Sequence, residues 1–207
     1  MSKRTDSNLY TILFAIAMVI VVGGLLAFTA SSLRPRIDNN ERLEKQQNIL
    51  YAMGVNANDD SSAIFVSTDE APELFAKYIT KQLVIQGSDI SENKEAYLID
   101  VKKEQTSAKA GNERRLPLFV GNKDGKTFYI APIRGKGLWD AIWGYVAMDA
   151  DMVVQGAYFD HKGETAGLGA NIKQRFFMDD FIGEHLMSNG VFKGITVAKG
   201  NNDPKNL

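Results

Sequence analysis

Leu116–Pro117–Leu118–Phe119–Val120 and Thr127–Phe128–Tyr129–Ile130–Ala131–Pro132–Ile133 enclose Lys123–Asp124–Gly125–Lys126, and the reading of this stretch decides the fold. Both flanks are rich in aromatic and branched residues that suit a half-buried, pleated surface. Asp-Gly between two such runs is a strong hairpin signal, because a two-residue turn with the twist of the strands needs positive φ at both centres. A second hairpin is expected from Leu138 to Met148 and Met152 to Phe159, about Asp149–Ala150–Asp151. Between them Arg134–Gly135–Lys136–Gly137 reads as a flexible basic turn.

Working outward, helices are expected on both sides of this antiparallel block. Ser67-x-x-Glu70 is a capping box with Pro72 in the first turn, opening a helix to about Gln86 with Leu74, Phe75, Tyr78, Ile79 and Leu83 inward. Gly87 to Glu95 reads as a polar linker, Ala96 to Val101 as a strand, and Lys102 to Arg115 as a charged loop. Asn171 to Ser188 carries Phe176, Phe177, Phe181, Ile182 and Leu186 at helical spacing, stopped by Asn189–Gly190, and Val191 to Ala198 starts a further strand. The tally predicts an α+β domain with a mostly antiparallel sheet and packed helices.

Before this domain, Ser7 to Leu33 holds no charged side chain. Roughly 20 apolar residues suffice to cross a bilayer as a helix, and the run is too long for the core of a signal peptide. It predicts an uncleaved, single-pass anchor. Lys3 and Arg4 precede it while Arg34 and Arg36 follow, so the basic residues nearly balance. A short tail before a long domain puts the domain outside the cytoplasm. Pro35 marks the membrane exit; Asp38 caps a helix Asn39–Met53 with Leu43, Leu50 and Met53 on one face and Gly54 as its stop. Three segments are thus expected: tail and anchor 1–33, juxtamembrane amphipathic helix 34–54, and the α+β domain 55–207.

The 207 residues, 44% hydrophobic, are enough for a substantial core. With 24 basic and 25 acidic residues there is no basic excess, which argues against a nucleic-acid partner. No cysteine is present and only His161 and His185 occur, so thiolate chemistry, iron–sulfur clusters and a histidine-rich metal site are not expected. Redox chemistry here would need an organic cofactor.

The stretch most open to function is Gly163–Glu164–Thr165–Ala166–Gly167–Leu168–Gly169, between an apolar strand and the expected helix. Such glycines let backbone N–H groups approach something flat or anionic, or merely serve a connection that needs positive φ. His161 and Glu164 have the chemistry of an acid–base pair, but with no nucleophile at a telling spacing they read as a solvated loop pair. Trp139 and Trp143 could flank a planar ring or belong to the core. Arg134 and Lys136 could meet a phosphate or only water. No dinucleotide, P-loop, nucleophile-elbow or zincin motif occurs.

Four places, in order, resemble the C subunits of the Na⁺-translocating NADH:quinone oxidoreductases, a family of FMN-binding domains. They are the anchor exit Leu33–Arg34–Pro35, the helix Leu43 to Leu50, the segment Pro132 to Trp139, and His161 to Gly169, which is similar to the family's E-T-x-G-L-G loop. The resemblance implies a flavin electron carrier in a Na⁺-pumping membrane complex of the bacterial inner membrane, with its domain on the periplasmic side. It implies partners in the other subunits and the lipid bilayer, and cofactor contacts at Trp139, Glu164, Thr165, Gly167, Leu168 and Gly169. No catalytic or metal-binding residue is expected. In the family the flavin phosphate is joined to a threonine in an S/T-G-A-T-x-S/T motif, absent here, so that threonine is expected beyond Leu207, where turn-like Asn201 to Leu207 leads onward. Two alternatives stay open: the related G subunit of the ion-translocating ferredoxin:NAD oxidoreductase, and a cofactor-free, membrane-tethered assembly domain.

Overall fold

The computed structural model describes residues 7–59 and 62–196. The chain forms two units, residues 1–41 and 42–207. Helix α1, Asn8–Ala52, begins in the first unit and ends in the second. By length and apolar composition it can cross a membrane.

Helix α1 corrects one expectation: Pro35 lies inside it, and no new helix is capped at Asp38. A proline removes the bond its N–H would give, here to the Ser31 carbonyl, but the helix continues past it to the good helix formers Glu41 to Gln47. The expected stop at Gly54 is present. Gly54 has φ +78°, its N–H donates to the Tyr51 carbonyl at 2.9 Å, and the Val55 N–H donates to the Leu50 carbonyl at 2.9 Å. These two bonds form a Schellman motif, with buried Leu50 and Val55 as its apolar pair.

The second unit is built on a six-stranded antiparallel sheet of order β2-β1-β3-β4-β5-β6. Its strands are β1 Ile79–Gln86, β2 Asp89–Glu92, β3 Arg115–Lys123, β4 Lys126–Lys136, β5 Ala141–Met148 and β6 Val154–His161. Both predicted hairpins form, β3–β4 and β5–β6, and the α+β class holds. Asp124 and Gly125 take φ +52° and +77°, as a turn of this hand requires. The basic segment at Arg134 is not a flexible turn: Arg134 to Lys136 complete β4, paired residue by residue with β5.

Phe119, Ile130, Ala147 and Gly156 pair across β3 to β6 and so share one face. That face receives the tail of α1, where Ile49, Leu50, Ala52 and Met53 are buried. Glycines mark the closest approaches. A Cβ on Gly121 would lie 2.9 Å from the Met53 methyl, and one on Gly156 would meet the Ala52 carbonyl. The opposite face carries Tyr129 and Met148 and is covered by Phe181, Leu186 and Ile195.

The helices depart from expectation more than the strands do. Helix α2 is only Ala71–Tyr78, opened by the predicted pair: Glu70 N–H donates to Ser67 Oγ at 3.2 Å, and the hydroxyl donates to Glu70 Oε2 at 2.7 Å. Its expected second half is β1, because Leu83, Val84 and Ile85 find β3 as a partner and pairing outweighs the helical spacing. Gly87 is a turn and part of the expected linker is β2. The expected strand at Ala96 is a 3-10 turn, Ala96–Leu98. The charged loop is helix α3, Val101–Lys109, capped by Asp100, whose carboxylate accepts from the amides of Lys102 and Lys103. Glu104 on α3 is buried and ties down the start of β3. It accepts from the Arg115 amide at 3.0 Å and from its guanidinium at 2.6 Å, which holds the Glu104 carboxyl below the usual range.

The long helix over Asn171 to Ser188 does not form. A 3-10 turn Gly169–Lys173 and the short α4 Arg175–Asp179 take its place, and Gly183 at φ +87° turns the chain away. Phe177 and Phe181 instead pack edge-on around Phe159. Asn189–Gly190, expected as a helix stop, is the two-residue turn of a small hairpin, β7 Met187–Ser188 with β8 Val191–Phe192. The last two residues of the strand expected over Val191 to Ala198, and the tail Asn201 to Leu207, lie outside the described residues.

Candidate functional site

Antiparallel order brings the candidate residues to one end of the sheet. The connection between β4 and β5 is Gly137 to Asp140, closed by the Gly137 N–H donating to the Asp140 carbonyl at 2.7 Å. Strand β6 runs beside β5 and ends at the same end, with Ile142 opposite His161. The Glu164–Gly169 loop therefore leaves the sheet next to Trp139, although the two are 25 residues apart in sequence.

Glu164 joins them. Its Oε1 accepts from the Trp139 amide at 3.0 Å and from the Asp140 amide at 3.3 Å. Its own N–H donates to His161 Nδ1 at 3.2 Å. The His161–Glu164 contact thus runs through the Glu164 backbone, while its carboxylate is turned to the Trp139 and Asp140 amides, so the pair builds the loop. Asp140 accepts from the Ala141 amide at 2.7 Å and pairs with Lys162 at 3.1 Å. The amide first, and Lys162 second, hold its carboxyl below the ordinary range.

The far end of the loop is fixed as well. Thr165 O accepts from the amides of Leu168 and Ala170, both at 3.1 Å, and Gly167 turns the chain at φ +75°. Lys173, at the end of the following turn, reaches buried Asp160 on β6 at 2.9 Å. Asp160 also accepts from the Tyr158 hydroxyl at 3.0 Å. Burial, then the Asp160 charge, pushes the Tyr158 hydroxyl above its ordinary range.

What the loops present to solvent is apolar. Leu138 is 81% exposed, Trp139 68% and Leu168 72%, on a rim whose backbone is held by hydrogen bonds. Large exposed apolar groups on a well-fixed rim mark a surface meant to be covered. Among the described residues, the amides of Ala166 and Gly167 have no hydrogen-bond partner. Beside this rim, Ile133, Gly135, Ile142, Trp143 and Phe159 line a shallow apolar cleft of about 250 Å³.

Of the expected residues, Trp139, Glu164, Thr165, Gly167, Leu168 and Gly169 are brought together. Trp143 is not part of that group: it sits in β5 opposite Arg134, whose guanidinium lies 5.9 Å from the indole. The Arg134 backbone accepts from Gln105 of α3 at 3.1 Å. The sequence reading missed Leu138, Asp140, Asp160 and Lys173. An apolar pair, Leu138–Trp139, in a connection otherwise made of Gly and Asp was an available signal for the first two. Asp160 and Lys173 carried none, since their pairing depends on where the chain turns after Gly169.

One comparison with known proteins falls on the same region, and others run over most of the chain. The family model described as an FMN-binding domain matches residues 137–206. The C subunit of the Na(+)-translocating NADH-quinone reductase of Vibrio anguillarum is 28% identical, over 97% of this chain and 81% of its own length. The crystal structure of the corresponding protein from Parabacteroides distasonis superposes with a TM-score of 0.69 at 34% identity, covering 81% of this chain and 77% of that one. That of Shewanella oneidensis NqrC, at 24% identity, gives 0.62 over 80% of each chain and supports the fold.

Proposed function

Because the chain belongs to the family of the Na(+)-translocating NADH-quinone reductase C subunits, we propose that it is the FMN-binding, electron-carrying subunit of that membrane enzyme, its flavin held at the rim formed by 137–140 and 164–169. One observation carries the reading. The FMN-binding family model begins at Gly137, and the structure ties that connection to the Glu164–Gly169 loop through a single carboxylate.

The residues present fit a flavin. Leu138, Trp139 and Leu168 offer exposed apolar surface for a flat ring, and the amides of Ala166 and Gly167 can donate to its acceptor edge. When bound, FMN supplies the electron transfer. The chain's own residues orient the ring, keep water off one face and fix donors toward its polar edge. Asp140 and Asp160 are already occupied by Lys162 and Lys173, so these cations stabilise the loops and not the ring.

Three finer points belong to the same proposal. The flavin is attached through its phosphate to a threonine that the resemblance puts past Leu207. The apolar part of α1 spans the bilayer, 55–207 with the tail of α1 forms the flavin domain, and this domain faces the periplasm. Other subunits bind NADH and quinone, and supply the donor and acceptor. Attachment retains the cofactor by effective concentration, which leaves the rim free to orient it.

The decisive experiment expresses the natural full-length chain with the flavin-attaching enzyme and images a denaturing gel under ultraviolet light. A fluorescent band is expected. A dark band, with the attaching enzyme active on a known substrate, together with no flavin absorption in the native protein, would overturn the reading. Protease added to intact spheroplasts should digest the domain; protection until the membrane is broken would reverse the orientation.

A further inference from the structure

Two of the glycines at the rim are explained by a side chain of the same protein. A Cβ on Gly169 would lie 2.7 Å from Glu164 Oε2 and 3.1 Å from the Glu164 Cβ. One on Gly137 would collide with the Glu164 carboxylate and crowd the Asp140 carbonyl at 3.0 Å. Neither glycine has positive φ, so neither is required by backbone conformation. Gly167 is the opposite case, with φ +75° and nothing within 4 Å of its added Cβ. A loose carboxylate would swing away from a new methyl at little cost. This one is held by the Trp139 and Asp140 amides, and among the described residues no cation pairs with it.

We infer that Glu164 is a positioning residue: its carboxylate fills the gap between the 137–140 connection and the Glu164–Gly169 loop and sets Trp139 and Leu168 in register, acting on the flavin through them. The inference rests on the reading that these loops hold FMN. It replaces the expected direct contact of Glu164 and Gly169 with the cofactor by an indirect one. Gly137 and Gly169 are small because the carboxylate lies against them. Shape and acceptor capacity are what matter, not charge. Gln keeps Oε1 as acceptor for both amides, Asp is one methylene too short to reach them, and Ala removes the clamp.

The test is a double-mutant cycle on the full chain, Glu164→Ala, Gly169→Ala and both together, with Glu164→Gln as the conservative variant. Hydrogen exchange of the Trp139 and Asp140 amides, read in flavin-free protein, should accelerate about two- to tenfold in Glu164→Ala, the range for losing an ordinary hydrogen bond whose acceptor need not be charged. Gly169→Ala should accelerate it as well, the double variant should be no worse than Glu164→Ala alone, and Glu164→Gln should restore protection. In the flavin-loaded protein the midpoint potential should move in the same three variants and return with Gln. Unchanged amide exchange in Glu164→Ala, or additive effects in the double variant, would overturn the clamp. Amide exchange as expected but a potential restored only by Glu would show direct charge contact and overturn the indirect role. Wild-type protein that takes up no flavin would defeat the functional reading alone, since the exchange measurement does not need the cofactor.

Discussion

Across the middle of the sheet, Phe119, Ile130 and Ala147 sit in one row, closed over by Ile49, Leu50 and Met53 from the end of α1. At the end of the same strands, Leu138, Trp139 and Leu168 point their apolar surface at water while the Glu164 carboxylate ties the Trp139 and Asp140 amides of the β4–β5 connection. In the first region side chains are hidden and the backbone follows the ladder. In the second the backbone is held by side chains so that other side chains can be shown. Apolar residues therefore do two jobs here. Those in the row stabilise the fold, whereas those on the rim are too exposed to add much to stability and, on the proposed function, serve the cofactor instead.

The largest expected effect tests the row. Leu50→Ala should lower the unfolding free energy by about 2–5 kcal/mol, measured by urea denaturation, with flavin behaviour unchanged in the fraction that remains folded. If the flavin spectrum moves as well, the two regions are not independent. Next comes Glu104→Gln, which weakens the bonds to Arg115 and should cost about 1.5–3 kcal/mol. Because the folded Glu104 pKa is depressed, chiefly by the Arg115 side chain, its contribution is present above the unfolded carboxylate value of about 4.3 and lost as pH falls through the lower folded value. The variant should therefore show a flatter loss of stability below that pH than the parent, as read from melting midpoints across an acid titration.

Gly167→Ala is expected to cost about 1–2 kcal/mol for a side chain in the left-handed region, with no steric clash, and to alter the flavin spectrum. A spectrum identical to the parent would return this loop to a purely structural role. Trp139→Ala is the smallest in stability and the sharpest in meaning. Its unfolding free energy should stay within about 0.5 kcal/mol of the parent, while flavin potential or electron-transfer rate changes clearly. A destabilised but fully functional Trp139→Ala would invert the comparison.

The same contrast explains what could be read in advance. Strands β3 to β6 were legible because aromatic and branched residues flank the Asp-Gly turn of one hairpin and Asp149–Ala150–Asp151 of the other, local signals that registers such as Phe119 to Ile130 simply extend. Ile79 to Gln86 was misread because Leu83 and Ile79 continue a helical spacing, and only the presence of β3 decides otherwise. Helix α3 was hidden under its lysines, although Asp100 announced it as a cap. Asn171 to Ser188 carried the period of a helix, but Phe177 and Phe181 gather around Phe159, a partner no local pattern reveals. At the rim, glycine spacing and the resemblance pointed to residues that the fold does bring together. They could not say that Gly169 is small on account of Glu164, because that follows from how the β4–β5 connection returns to β6.

The end of α1 has a consequence for how such a protein can be recombined. By composition the natural seam lies at Gly54, where helix gives way to the rest of the domain. Yet Ile49, Leu50, Tyr51 and Met53, all before that seam, are buried in the core. At roughly 1.5–3 kcal/mol for each buried large side chain, their loss rivals the 5–15 kcal/mol that holds an ordinary domain together. A gene fusion that exchanged the membrane anchor at Gly54 would carry away part of the domain's interior. Only a crossover at or before Arg42, where the second unit begins, leaves the domain whole.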